Sequence, residues 1–357
     1  MDTSNFCVQL DLTASGLMRI VEDQLLQSRT ENKHIKAEPY KLNVYGDSRH
    51  GASPVPACLT LLYLLDKGSF FKPHKDTPRG TDMLGSLVII YPTAHEGGEL
   101  VLRHKDHEWK FDTNSLTVSQ SSPSLAYVAF YSDIEHEVLK VTSGRRVTVT
   151  YNLYLVDPVS RPGVPTITPN PKTVSNLQTT LQGLLKSPEF LPDGGTLGFG
   201  LAHLYPVTFE TKLREMTSYL KGEDAHVYQA CQELQLQPSL QVIYDDDLSG
   251  PRYGIMMDRI VRDPAYDYMD ECYSSVLVTE LGGVSVNKAE DASLDRSHWA
   301  EGGYENSERE FITWISPFNG RNQLQDISLA YGNEVSAEYI YCSPCLIVRI
   351  AAASDRV

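Results

Sequence analysis

The sequence predicts an α+β protein in two parts, a β-rich first half and a mixed helix-and-strand second half. Three observations predict it. Short β-rich runs separated by Gly and Ser turns fill the stretch from residue 80 to 156, and apolar residues at helical spacing take over after residue 172. Between the two, Asp157 to Lys172 (DPVSRPGVPTITPNPK) holds five prolines, which break helix and strand alike. The expected divisions are a helical segment over 1–34, a β-rich domain over 35–156, a Pro-rich linker over 157–172 and an α+β region over 173–357.

In chain order, Leu17, Ile20, Val21 and Leu25 recur at helical spacing and predict an N-terminal helix. Leu87–Tyr91, Glu99–Arg103, Ala126–Tyr131 and Arg146–Leu155 read as strands, with turns at Gly97-Gly98 and Ser143-Gly144. The last strand alternates: Arg146, Thr148, Thr150 and Asn152 take one face, and Val147, Val149, Tyr151 and Leu153 the other. A half-exposed sheet gives this pattern, and so does a barrel with a polar, ligand-binding interior.

Beyond the linker, Leu177, Leu181, Leu184 and Leu185 mark a helix. Leu213, Met216 and Leu220 mark another, with Gly222 as its stop and Asp224 as the cap of a third carrying Val227, Cys231 and Leu234. Val276–Thr279, Phe311–Ile315 and Leu346–Ile350 read as strands.

The 357 residues carry 31 Lys and Arg against 46 Asp and Glu, a formal charge of −15. That balance disfavours nucleic acid as a partner, because neutralising phosphates needs a basic stripe. No apolar run approaches the ~20 residues that cross a bilayer. The N-terminus has no basic-then-apolar block, so the expected location is intracellular, cytoplasmic or nuclear, with no membrane partner. The six cysteines are scattered and do not form a disulfide framework. Cys342-Ser-Pro-Cys345 lacks a second pair for zinc and reads as two buried thiols. Asp245-Asp-Asp247 reads as a turn, since it lacks the spaced ligands of a calcium loop, and Gly195–Gly200 lacks the Lys-Ser/Thr ending of a phosphate loop.

The local signal for chemistry is Phe70 to Pro78, FFKPHKDTP. His74 and Asp76 are two apart, so on an extended chain both face one side, where an imidazole and a carboxylate can meet one metal. A 2-His-1-carboxylate triad needs a distant second histidine. His136 lies sixty residues beyond Asp76, and Arg146 follows ten residues later. A second His-x-Asp, His104-Lys-Asp106, reads as a hairpin tip.

His74-Lys-Asp76, Gly97-Gly-Glu-Leu100, Ala129-Phe-Tyr-Ser-Asp133, His136-Glu-Val138 and Ser143-Gly-Arg-Arg146 occur in that order. They resemble the prolyl-4-hydroxylase-like iron(II)/2-oxoglutarate-dependent dioxygenases, and in particular their fungal, uncharacterised branch. The likeness is specific over about residues 35–156. It implies a double-stranded β-helix (jelly-roll) oxygenase domain with iron at one open end, followed by the α+β region, whose role it leaves unknown. It implies Fe(II) held by His74, Asp76 and His136 as the catalytic centre, 2-oxoglutarate as co-substrate, O2, and ascorbate as an optional reductant. It places Arg146 on the far carboxylate of 2-oxoglutarate, in preference to Arg145 on the opposite strand face, with Tyr45 beside it. Asp76 implies a hydroxylase type, which releases succinate and CO2.

One departure interrupts the resemblance. Ala37–Gly46 and Lys67–Phe71 follow the family pattern, but the twenty residues 47–66 between them do not. They are a translated intron or gene-model artefact, or a genuine surface loop. With the segment present, Tyr63 is nearer to His74 in sequence than Tyr45 is. The expected function is a dioxygenase hydroxylating a protein side chain of prolyl type or a small molecule. The alternative is a catalytically inactive jelly-roll binding or scaffold protein.

Overall fold

The computed structural model describes residues 10–26, 33–46, 62–65, 70–77, 79–80, 82–118, 124–157, 175–246, 252–262, 273–289, 309–320, 322–331 and 335–356. The chain divides into two compact units, residues 1–27 with 32–168 and residues 28–31 with 169–357. Residues 158–172, the body of the Pro-rich stretch, lie outside the described residues, as do 47–61 and 66 of the interrupting segment.

The first unit opens with helix α1 (Leu17–Leu25), which buries Met18 and Val21 and leaves Ile20 exposed, so its buried stripe is rotated by a residue from the expected one. Strands follow as β1 (His34–Gly46), β2 (Leu62–Leu65), β3 (Phe71–His74), β4 (Met83–Ile90), β5 (His95–Gly97), β6 (Leu100–His104) and β7 (His107–Phe111). After helix α2 (Thr113–Val118) come β8 (Ala126–Tyr131), β9 (Glu135–Val138) and β10 (Val141–Val156). One sheet has the order β2-β1-β10-β4-β8, with β5 pairing the start of β10, and a second has the order β3-β9-β6-β7. Tyr45, Val88, Ile90 and Phe130 from the first pack with Leu100, Leu102 and Val138 from the second, so the sheets face each other as in a jelly roll.

Local chemistry explains the strand order. β4, MLGSLVII, is buried along its whole length because it is flanked by β10 and β8. Pro73 interrupts β3 and is tolerated because β3 is an edge strand, which needs no ladder donor on its outer side. β10 turns a corner at Gly144, where φ is +71° and a Cβ would stand 2.2 Å from the Ala94 carbonyl oxygen. Before that corner it pairs with β5, and beyond it with β1 and β4. β2 adds itself in parallel to β1, with Tyr63 at the register position of Asn43. The interrupting segment therefore ends by extending the sheet. His104 and Asp106 sit at the β6–β7 hairpin tip, with Lys105 in the left-handed region.

The second unit is built on one eight-stranded sheet. Its elements are α3 (Ser175–Lys186), β11 (Gly195–Gly200), α4 (Leu213–Met216), α5 (Gly222–Glu233), β12 (Ser239–Asp245), β13 (Tyr253–Met257), α6 (Tyr273–Thr279) and β14 (Val284–Asn287). They continue with β15 (Arg309–Glu310), β16 (Ile312–Ser316), β17 (Leu324–Tyr331) and β18 (Val335–Ile350). The strand order is β15-β14-β13-β12-β18-β11-β16, with β17 beside β18. Alternation along β12 serves both faces: Val242 and Tyr244 join the larger core cluster, and Ile243 joins Trp314 and Val286 in a second.

Three sequence expectations fail in this unit. Val276–Thr279 is helix α6, not a strand, because a four-residue apolar run does not fix its period and burial of Ser274, Val276 and Leu277 suits a helix here. Gly222 does not stop a helix but begins α5, and α4 ends at Met216 in a short 3-10 turn. Asp224 does not cap α5. It lies in its first turn, where its buried carboxylate accepts the Ala202 and His203 amides and the Tyr205 hydroxyl. Cys342 and Cys345 are buried in β18, and burial raises the Cys345 thiol far above the usual range, which makes it inert.

Candidate metal and co-substrate site

The facing sheets enclose a cavity of about 310 Å³. His74 reaches it from the end of β3, and His136 from β9, directly opposite in the ladder. Their ring centroids are 4.2 Å apart. Asp76 follows β3 by two residues and lines the same cavity. One ligand atom from each of His74, Asp76 and His136 lies within 4.8 Å of the other two. The structure therefore brings together the three residues at which the sequence pointed.

Each ring is held in a defined tautomer. The His74 Nδ1–H donates to the Lys72 carbonyl at 2.8 Å, and the His136 Nδ1–H donates to the Ile134 carbonyl at 3.1 Å. Both bonds span two residues and leave each Nε2 lone pair for a metal. Phe71 lies 4.6 Å from the His74 ring and Phe130 lies 4.8 Å from the His136 ring. Burial lowers the His136 pKa, partly offset by Asp76, and so favours the neutral imidazole that can coordinate. Asp76 Oδ2 accepts a 2.7 Å bond from the Ser86 hydroxyl, and Oδ1 stands 3.9 Å from His136 Nε2. Ser86 escaped the sequence reading, although a lone serine in the apolar run Met83–Ile90 was its signal.

The polar face of β10 points inward. Arg146, Thr148, Thr150 and Asn152 all line the cavity, which decides between the two readings of that alternation. Arg146 is 1% exposed, whereas Arg145 is exposed. The Arg146 Nε–H points to the Thr113 hydroxyl at 3.5 Å, and its buried Nη2 has no hydrogen-bond partner among the described residues. Burial pulls its pKa down, so an anion in front of it would relieve a real cost. Tyr45 is paired in register with Arg146, and the guanidinium carbon is 5.3 Å from its ring centre.

Behind Arg146 stands His95, which the sequence reading did not mark. Its Nδ1–H donates to the Thr93 carbonyl at 2.7 Å, and Nε2 lies 3.3 Å from the Thr113 hydroxyl. Thr113 thus links a neutral His95 to Arg146. Asn43 joins the wall opposite Thr148 across β1 and β10, and its buried Oδ1 has no partner among the described residues.

The donor set fits Fe(II): two neutral imidazoles and one carboxylate on one side of a cavity, with room left opposite. The unpartnered Arg146 guanidinium fits a dicarboxylate.

Residues 59–154 match the model of the 2OG-Fe(II) oxygenase superfamily, a span that contains His74, Asp76, His136 and Arg146. The match and the His-Asp-His cluster support a jelly-roll 2OG-Fe(II) oxygenase in this unit. Among solved structures, a 2OG-Fe(II) oxygenase-family oxidoreductase from Burkholderia pseudomallei is 24% identical over 25% of this chain and 38% of its own, with a TM-score of 0.20. A Pseudomonas putida prolyl-4-hydroxylase is 19% identical over 40% of this chain and 64% of its own, with a TM-score of 0.23. A Trichoplax adhaerens prolyl hydroxylase, solved with a hypoxia inducible factor oxygen degradation domain peptide fragment, is 23% identical over 25% of this chain and 40% of its own, with a TM-score of 0.19. The chain thus spans less than two thirds of each of these three structures. No curated protein matches the chain. Among the described residues, no helix is long and apolar enough to cross a membrane.

Proposed function

We propose that the first unit is an Fe(II)- and 2-oxoglutarate-dependent dioxygenase that hydroxylates a protein side chain or a small molecule, releasing succinate and CO2. The observation that carries this reading is the buried, unpartnered Nη2 of Arg146 in the same cavity as the His74–Asp76–His136 cluster. A cationic side chain left unsatisfied in a protein interior is costly, and an arriving carboxylate repays that cost.

When bound, the iron and 2-oxoglutarate supply the oxidising chemistry of the reaction. The chain's own residues do the rest. His74 and His136 offer Nε2 because their Nδ1 protons are committed to backbone carbonyls. Ser86 holds one oxygen of Asp76 and leaves the other turned toward His136. Arg146 anchors the distal carboxylate, backed by Thr113 and flanked by Tyr45. Val88, Leu100, Phe130 and Val138 line the cavity with apolar surface and keep bulk water from the reacting centre.

The test is direct. The purified chain, given Fe(II), 2-oxoglutarate and ascorbate with candidate substrates, should form succinate above a His74→Ala control. It should also develop a visible charge-transfer band when Fe(II) and 2-oxoglutarate are added without air. Absence of both in the folded protein would sink the proposal.

A further inference from the structure

Asn43 is a buried amide whose hydrogen-bonding capacity is unmet. Alternation along β1 puts it on the cavity face with Tyr45. Across the ladder it stands opposite Thr148, one step from the Tyr45–Arg146 pair. Asn43 is 7% exposed, and its Oδ1 has no hydrogen-bond partner among the described residues. A buried acceptor left unpaired costs the full desolvation of that group, so a bound molecule that satisfies it gains affinity. An amide oxygen only accepts, and the missing partner must therefore donate an O–H or N–H.

The co-substrate is not that partner. 2-Oxoglutarate carries two carboxylates and a ketone, which at neutral pH only accept hydrogen bonds. Its anchor is also displaced along the wall. Tyr45 and Arg146 are two residues from Asn43 and Thr148, about 7 Å on an extended strand.

The rest of the cavity limits what carries the donor. On the other side of β10, Val88 pairs with Thr150, and Val88, Leu100, Phe130 and Val138 line the same space. A largely apolar pocket with a few placed polar groups uses those groups to orient a largely apolar ligand. The volume of about 310 Å³ must hold the dicarboxylate as well, so the part of the substrate that enters is small.

We infer that Asn43 is a specificity-determining residue, whose amide oxygen accepts a hydrogen bond from a hydroxyl or N–H on a small, uncharged and otherwise apolar part of the substrate. A prolyl ring within a peptide offers neither donor, because its nitrogen carries no hydrogen. The inference therefore favours a substrate other than a prolyl side chain. That the bound molecule is then oxidised rests on the dioxygenase reading; the hydrogen bond to Asn43 does not.

The experiment uses the full chain and two matched pairs of probes, cyclopentanol with its methyl ether and pyrrolidinone with N-methylpyrrolidinone. Within each pair only one member has the donor. Binding is read by saturation-transfer NMR, which needs neither metal nor turnover. Line broadening by Mn(II) in the presence of 2-oxoglutarate then reports how near the probe lies to the metal. In at least one pair the donor member should bind about tenfold or more tighter, since a site built to pair an O–H or N–H rejects the analogue that lacks it. Asn43→Leu should abolish the preference, and Asn43→Asp, which keeps an acceptor, should retain part of it. Asn43→Leu should also melt no lower than the wild type, because an apolar group of similar shape in place of an unpaired acceptor is neutral or stabilising.

Equal or absent binding within both pairs would overturn the inference, and that comparison needs no variant to fold. A preference that survives Asn43→Leu would overturn it too. Weaker 2-oxoglutarate binding by Asn43→Leu would assign the amide to the co-substrate, and a lower melting temperature would assign it to the fold; either result is fatal to the inference. Donor preference without succinate, once Fe(II) and air replace Mn(II), would sink the dioxygenase reading alone. Succinate formation without donor preference would sink the role of Asn43 alone.

Discussion

Gly98 vacates the space that the Arg146 side chain occupies. A Cβ at position 98 would stand 3.0 Å from Arg146 Cδ and 2.7 Å from Val141 Cγ2, on a backbone with φ of +75°. Gly97-Gly98 thus does more than turn the chain between β5 and β6. Gly98→Ala should raise the KM for 2-oxoglutarate by about tenfold or more, because misplacing a binding group by even ~1 Å is costly. The strained φ should also lower stability by about 1–2 kcal/mol. Steady-state kinetics with 2-oxoglutarate as the varied substrate, beside a thermal melt, would show whether both effects occur.

Arg146 itself should separate binding from stability. Arg146→Met keeps most of the packing volume and removes a buried cation whose Nη2 has no partner. Replacing a buried, poorly satisfied charge by an apolar group is often neutral or stabilising. The variant should therefore melt no lower than the wild type while losing measurable affinity for 2-oxoglutarate. A large drop in melting temperature would mean that the guanidinium holds the fold rather than the co-substrate.

Ser86 supports Asp76 from behind, at 2.7 Å. Partners of metal ligands typically matter by about 10–100-fold in metal affinity. Ser86→Ala should weaken Mn(II) or Fe(II) binding within that range while leaving the affinity for 2-oxoglutarate analogues in the metal-free protein unchanged. Isothermal titration of each ligand separately would expose a result that contradicts this.

His95 gives the site a pH dependence. Burial lowers its pKa below 6.5, and the nearby Arg146 charge pushes the same way; the Thr93 carbonyl, Asp112 and Glu99 act in opposition. Because the folded value lies below the unfolded one, the contribution to stability is complete above about pH 6.5 and is lost as pH falls through the folded value. Protonation also turns the Nε2 acceptor that faces Thr113 into a donor, which competes with the Arg146 Nε–H for the Thr113 oxygen and unseats the guanidinium. Affinity for 2-oxoglutarate should fall with acidification below pH 6.5, and His95→Gln should flatten that slope. An unchanged slope in the variant would assign the dependence to another group.

The sequence by itself determined what local chemistry can determine. The period-two alternation from Arg146 to Asn152 fixed which residues share a face, and the spacing of His74 and Asp76 put an imidazole and a carboxylate side by side. Turn residues at 97–98 and 143–144 placed the corners, since few residues other than glycine adopt a positive φ. Short apolar runs did not fix their own period, and so Val276–Thr279 read as a strand although it forms helix α6. Only the tertiary structure decided which face of β10 looks inward, because that depends on the pairing of β10 with β1 and β4. It alone brought Ser86, His95 and Thr113 to the site. Each acts across a sheet or a corner, and a contact between residues far apart in the chain leaves no periodic trace in the sequence.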